Sequence, residues 1–391
     1  SGASATQAIG TAATFFTSMK KVSATYDANA QKVVLAFINN STDYGTAIVG
    51  TVSGNSISFG TAVVFESAIV DDPSITYDAN AQKVVIAYAD QGNGRYGTAI
   101  VGTVSGTNIS FGTAAVFENA NISYTNITYD SDTQKVVMSY TDSGNSSKGT
   151  AVVGTVSGTN ISFGTPVVFE SGVSNYFSSA YDTNAQRVVI AYKDDGNSSK
   201  GTAVVGTVSG TAISFGSPVI FNSSGSSFNS AVYDSAAKKV VIAYRDQANS
   251  DGGTAIVGTV SGTSISFGTE VIFETGGTEF VSITYDSAAQ KVVIAYTDDG
   301  NSGHGTLAVG TVSGTTISFE TPVVFESDAT VYTSATYEAS AGKVVIAYKD
   351  YNNSNQGTAI VFQTGYTSTN LTSENYIGIA SNGYATGQAA T

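Results

Sequence analysis

Few side chains in this sequence are equipped for covalent chemistry. It contains no cysteine, which excludes thiolate catalysis, a Cys–His dyad and disulfides. His304 is the one histidine, so a Ser–His–Asp triad would have a single candidate base, and no serine or aspartate partner is marked out beside it. No pair of carboxylates of the kind glycosidases use stands apart from the repeating pattern of acids. The segments richest in oxygen ligands are "DSGNSSKG" (Asp142–Gly149), "DDGNSSKG" (Asp194–Gly201) and "DDGNSGHG" (Asp298–Gly305). Their Asp and Asn oxygens suit Ca²⁺, but they lack the spacing and terminal glutamate of the twelve-residue calcium loop. Asp-Gly-Asn is also ordinary turn chemistry. The sequence therefore assigns no catalytic residue, no metal ligand and no cofactor, with calcium in these loops as the alternative reading.

A repeat positions these loops. The motif "YD….KVVIAY" recurs with its tyrosine at Tyr26, Tyr77, Tyr129, Tyr181, Tyr233, Tyr285 and Tyr337, a spacing of 51 and then 52 residues. A fixed period near fifty points to a propeller or a solenoid. Each period holds four runs rich in Val, Ile, Thr, Tyr and Phe, separated by Gly, Asn, Asp and Ser; around Tyr285 they are "FVSITYD", "KVVIAYTD", "GTLAVGTVSG" and "TISFETPVVFE", here called runs A to D. Four antiparallel strands repeated radially make a β-propeller, with one blade per repeat. A solenoid would need distinct capping repeats, and none is present. Run B is apolar at nearly every position, as expected of a central strand covered on both faces. Pro166, Pro218 and Pro322 share one position in run D, which places D at the outer edge, where a missing N–H is tolerated, and A along the central channel.

Runs A, B and C occur seven times, but only six D runs are complete. The missing one is the opening "AIGTAATFF", expected to pair with run C of the last repeat and close the ring. The expected architecture is an all-β, seven-bladed propeller over residues 1–365, residues 8–16 completing the last blade, with 366–391 as an extension or linker to a further region. The acid of each Tyr-Asp/Glu and the basic residue five positions on (Asp27 with Lys32, Asp182 with Arg187) are expected to form an ion pair across the A–B hairpin. The glycines of run C are expected to let blades pack closely.

Seven internal copies can be compared. Positions that stay the same are most simply structural, and positions that differ are where a partner is recognised. The D–A connections vary most. Counting back five from each "YD" tyrosine gives Lys21, Asp72, Tyr124, Tyr176, Phe228, Phe280 and Tyr332. These seven are the candidate ligand-binding residues, ringing the channel mouth on the face that also carries the B–C loops. Five aromatics in such a ring suit stacking on sugar rings; the structural alternative is that they plug the channel.

The net charge of −14 argues against nucleic acid and anionic membrane surfaces as partners. No apolar run approaches the length that spans a membrane. Enzymatic propellers such as sialidases use an arginine cluster and aspartate boxes ending in tryptophan. This chain has no tryptophan, and its arginines are Arg95, Arg187 and Arg245.

The repeats resemble those of seven-bladed propellers generally. The stretch "TNLTSENYIGIASNGYATGQAAT" (Thr369–Thr391) resembles segments of repetitive structural proteins of marine bacteriophages, tail-fibre-like proteins among them. That resemblance implies one module of a longer virion or surface protein. The combined expectation is a non-enzymatic recognition or display module, extracellular or on a virion, monomeric in itself, that binds a surface glycan or protein receptor, as in phage adsorption. A secreted or cell-surface lectin or adhesin is the alternative, and a glycoside hydrolase the third.

Overall fold

The computed structural model describes residues 5–365. The stretch 366–391, and with it the phage-like resemblance, lies outside the described residues. The fold is all-β and antiparallel; among the described residues the helical segments are short 3-10 turns such as Asp195–Asn197 in the B–C loops.

The first strands show the plan. β1 (Ala8–Ile9) and β2 (Ala13–Phe16) are followed by β3 (Met19–Asp27), β4 (Lys32–Asn39), β5 (Tyr44–Ser53), β6 (Ser56–Phe59) and β7 (Val63–Asp78). β3 pairs with β4, β4 with β5, and β5 with both β6 and the first half of β7. The second half of β7 pairs with the next B strand, Lys83–Asp90. The D–A connection, expected as a variable loop, is thus one continuous extended strand of 16 residues. Its β-branched content favours extension, and three register shifts turn it from the outside of one sheet to the inside of the next.

Run D itself is broken. Residues 60–62 leave the ladder between β6 and β7, and Pro166, Pro218 and Pro322 fall in the equivalent breaks. The prolines therefore mark an interruption of the outer strand and not a position within it, because no ladder bond is asked of them there. Close approach explains the glycine that opens the break. A Cβ on Gly60 would lie 2.0 Å from the Thr107 carbonyl oxygen in the C–D turn of the following repeat, and Gly112, Gly164, Gly216 and Gly268 meet the same obstacle. Glu320 holds the equivalent place once. There Gly365 of the neighbouring C strand lies beside Gln7, and the Glu320 carboxylate bonds the Gln7 amide and Lys291.

The B strands are buried along their centres, Val33–Ile38 among them. Core clusters join neighbouring repeats: Val34, Ala36 and Val49 pack with Ile75, Ile86 and Tyr88, and Phe15, Leu35 and Phe37 pack with Val345, Ala347 and Val361. β1 and β2 pair with the last strand, Gln356–Gln363, at Ala8↔Gln363 and Ala13↔Ala359. The innermost strands are tied by serines: Ser23 Oγ accepts from the Ile75 N–H at 3.2 Å, Ser230 Oγ from Ile283 at 3.0 Å, and Ser334 Oγ from Ala24 at 3.0 Å.

Two local expectations are corrected. The acid of "YD" caps its own hairpin and makes no ion pair across it. Asp27 Oδ1 accepts from the Ala30 N–H at 2.9 Å and Asp182 Oδ1 from Ala185 at 2.8 Å, while Lys32 and Arg187 turn to backbone carbonyls. The acids are buried, where backbone N–H groups satisfy them better than a solvated cation would. The run C glycines serve packing within one sheet: a Cβ on Gly45 would lie 2.3 Å from the Phe65 ring, which rests on that bare backbone.

Candidate ligand site at the mouth of the inner strands

The inner strands enclose a cavity of 440 Å³ lined by Lys21, Asp72, Tyr124, Tyr176, Phe228, Phe280 and Tyr332, with the residue that follows each in chain order forming the layer below. All seven residues singled out from the sequence are brought together there. Each sits at the register shift of its strand. All adopt positive φ, from 47° at Asp72 to 57° at Tyr332. A left-handed conformation at a bulky residue costs about 1–2 kcal/mol. The bulge leaves the residue outside the ladder and re-aims its side chain. Sequence reasoning missed this, because left-handed positions are normally signalled by glycine or asparagine and none occurs in the ring.

The aromatic members form a continuous crescent. Ring centroids are 5.1 Å apart for Tyr124–Tyr176, 5.2 Å for Tyr176–Phe228, 5.1 Å for Phe228–Phe280 and 4.7 Å for Phe280–Tyr332, all tilted or edge-on. Such geometry is favourable for aromatic pairs. Burial, and then Tyr124 beside it, raises the Tyr176 phenol above its ordinary pKa. The remaining arc is ionic. Lys21 Nζ lies 2.6 Å from Asp72 Oδ1 and 3.1 Å from Asp71 Oδ1, and Asp72 Oδ2 accepts the Tyr124 N–H at 2.7 Å. Burial alone would lower the Lys21 pKa, but the two carboxylates outweigh it and hold the ammonium above its usual value.

A second tier of charge borders the cavity. Lys193 Nζ is 5.9 Å from the Tyr176 ring and 3.1 Å from Asp195. Arg245 bonds Asp251 and Glu279, each at 3.0 Å, and Arg95 lies 3.3 Å from Asp71. Burial and the neighbouring Asp299 push the Glu279 carboxyl up, and burial does the same for Asp299. Arg245 already holds Glu279, and Lys21 holds Asp71 and Asp72. Lys193, Arg245 and Lys349 were not singled out from the sequence. Their signal was present: they share the variable position just before the aspartate that ends run B.

The other chemistry-bearing groups lie elsewhere. His304 starts a C strand opposite Asp298, and among the described residues its imidazole makes no hydrogen bond. Of the loop acids considered for calcium, Asp298 Oδ1 accepts from the Asn301 N–H at 3.1 Å and Asp195 is held by Asn175, Ser199 and Lys193, and no group of three or more potential metal-ligating side chains occurs among the described residues. A repeated Tyr–Glu–Asp constellation is structural. Tyr88 Oη donates to Glu66 Oε2 at 3.2 Å beside the Asp90 carboxyl, which burial and then Glu66 raise in pKa. Where the first repeat has Phe16 in place of the glutamate, Phe37 replaces the tyrosine and Asn39 the aspartate, the two rings 4.8 Å apart. Where Asn222 replaces the glutamate, Glu270 takes the Tyr244 hydroxyl at 2.7 Å.

BP39L lectin from Burkholderia pseudomallei matches with a TM-score of 0.56 at 12% identity, over 85% of this chain and 96% of that one. A chain of the mitotic checkpoint complex matches with a TM-score of 0.60 at 9% identity, over 94% and 97%. A protein of unknown function from Dyadobacter fermentans matches with a TM-score of 0.51 at 12% identity, over 92% and 98%. The fold is thus propeller-like, and identities this low speak to fold alone. No protein-family model and no curated protein sequence matches this chain.

Proposed function

We propose that residues 1–365 form a seven-bladed propeller closed by its N-terminal strand, and that it is a non-enzymatic recognition module which binds a glycan at the mouth of the inner strands. The pairing of β1 and β2 with Gln356–Gln363, the packing of Phe37 against Val345 and Ala347, and the Ser334–Ala24 hydrogen bond support closure. One observation carries the functional reading: the repeats are alike nearly everywhere, yet at one strained position they differ in chemistry, giving five aromatics, one cation and one anion around a single cavity. An asymmetric lining suits one ligand on the axis, with sugar rings stacked on aromatic faces. A lectin among the structural neighbours agrees with this class of ligand. We place the module outside the cell or on a virion, where surface glycans or protein receptors are met; a secreted lectin or adhesin is the second form of the same reading.

A broad glycan array followed by titration calorimetry tests it. The expected result is binding by wild type and loss of binding when Tyr124, Tyr176 and Tyr332 are replaced by Ala, with the thermal transition retained. Absence of any bound glycan, or unfolding of the triple variant, would favour a packing role for the aromatics.

A further inference from the structure

We infer that the mouth contains one subsite for an acidic sugar, in which Lys349 meets the carboxylate and Tyr351 and Tyr332 flank the ring. This rests on the glycan reading above and adds the charge class of the ligand.

Two equivalent corners of the mouth make the case. In one, Lys193 lies 5.9 Å from the Tyr176 ring and has its counter-ion two residues on, Asp195, at 3.1 Å. In the other, Lys349 lies 5.9 Å from the Tyr332 ring, but the residue two further on is Tyr351, 5.4 Å away. The counter-ion has been exchanged for an aromatic plate. Among the described residues Lys349 has no carboxylate within ion-pair distance, whereas Lys20, Lys21, Arg95 and Arg245 around the same mouth are each paired. Tyr351 is 57% exposed, more than any other large apolar or aromatic side chain described. Burial, and then the nearby Lys20, lower the Lys349 pKa, as expected of a cation lacking its anion. A free cation beside an exposed aromatic face matches a pyranose bearing a carboxylate: the ring stacks on the tyrosine and the acid group meets the ammonium. The net charge of −14 repels anions in general, so such a ligand needs a local site of this kind.

Calorimetric titration of the full chain with a hexagalacturonate and with a neutral hexasaccharide tests the inference. The uronate is expected to bind at least about tenfold more tightly, and Lys349→Gln to abolish that preference while leaving neutral binding and the melting temperature unchanged. Tyr351→Ala is expected to weaken both ligands, and Lys83→Gln, on the opposite turn-bearing face, neither. Equal binding of the two sugars, still dependent on Tyr124 and Tyr176, would overturn the acidic subsite and leave the glycan reading standing. Binding of neither sugar would overturn both. Competition by a poly-glutamate peptide as effective as the uronate would overturn the assignment to a sugar.

Discussion

Two rings of residues lie two positions apart on the same inner strands. The lower ring is Ser23, Ser74, Asn126, Ser178, Ser230, Ser282 and Ser334, nearly uniform, its members hydrogen-bonded from strand to strand. The upper ring is Lys21, Asp72, Tyr124, Tyr176, Phe228, Phe280 and Tyr332, chemically mixed and held at positive φ throughout. The backbone repeats at both levels, so the difference belongs to the side chains. A uniform ring joins identical neighbours; a mixed ring, strained at every member, has the strain that clusters at ligand sites. The lower ring is structure, and the upper ring is the place to look for function.

The contrast can be broken from the structural side first. Removing residues 1–16 takes away β1, β2 and the buried Phe15. Loss of one buried phenylalanine alone costs about 3–5 kcal/mol, so the truncated chain is expected to aggregate or melt far lower in a thermal scan. A monomeric, equally stable truncation would show that the seam between the last and first repeats does not matter. Gly60→Ala should cost about 1–3 kcal/mol by overpacking against the Thr107 carbonyl, measured by chemical denaturation. Tyr88→Phe leaves Glu66 Oε2 without its partner and should also cost about 1–3 kcal/mol, although Phe37 occupies the same position at no cost because Phe16 and Asn39 accompany it.

The smallest expected effect is on pH. Burial raises the carboxyls of Asp27, Asp78, Asp90, Glu118, Asp194, Glu279, Asp298, Asp299 and Asp350. Only Asp195 and Asp251, held by Ser199 and Lys193 and by Arg245, are lowered among the acids with a clear shift. In mildly acidic solution the folded chain therefore binds more protons than the unfolded chain. Stability should rise as pH falls from neutral toward the ordinary carboxylate range, since its slope with pH follows the protons bound unfolded minus those bound folded. A melting temperature that falls steadily from pH 7 to pH 5 would contradict this sign.

Much of this was legible in the residues. The tyrosine period and the unbroken apolar B runs gave the radial repeat, and counting back five gave all seven mouth residues. What escaped depends on contacts the sequence does not display. Positive φ at Tyr124 or Phe228 has no compositional signal. The role of Asp27 as a hairpin cap depends on turn geometry, and the fused D–A strand on where its register shifts fall. Glu320 and the Phe16–Phe37–Asn39 set were visible as exceptions, but their reason lies in a neighbour such as Gln7, 313 positions away in the chain.

The most direct test compares the two rings in one experiment. One oligosaccharide is titrated into wild type, a Tyr124→Ala/Tyr176→Ala variant and Ser230→Ala, and the melting temperature of each is recorded. The upper-ring variant should lose binding while melting close to wild type; the lower-ring variant should be less stable by about 1 kcal/mol and bind as wild type does. Unchanged binding by the tyrosine variant, or loss of binding only in proportion to lost stability, would contradict a ligand site at the mouth.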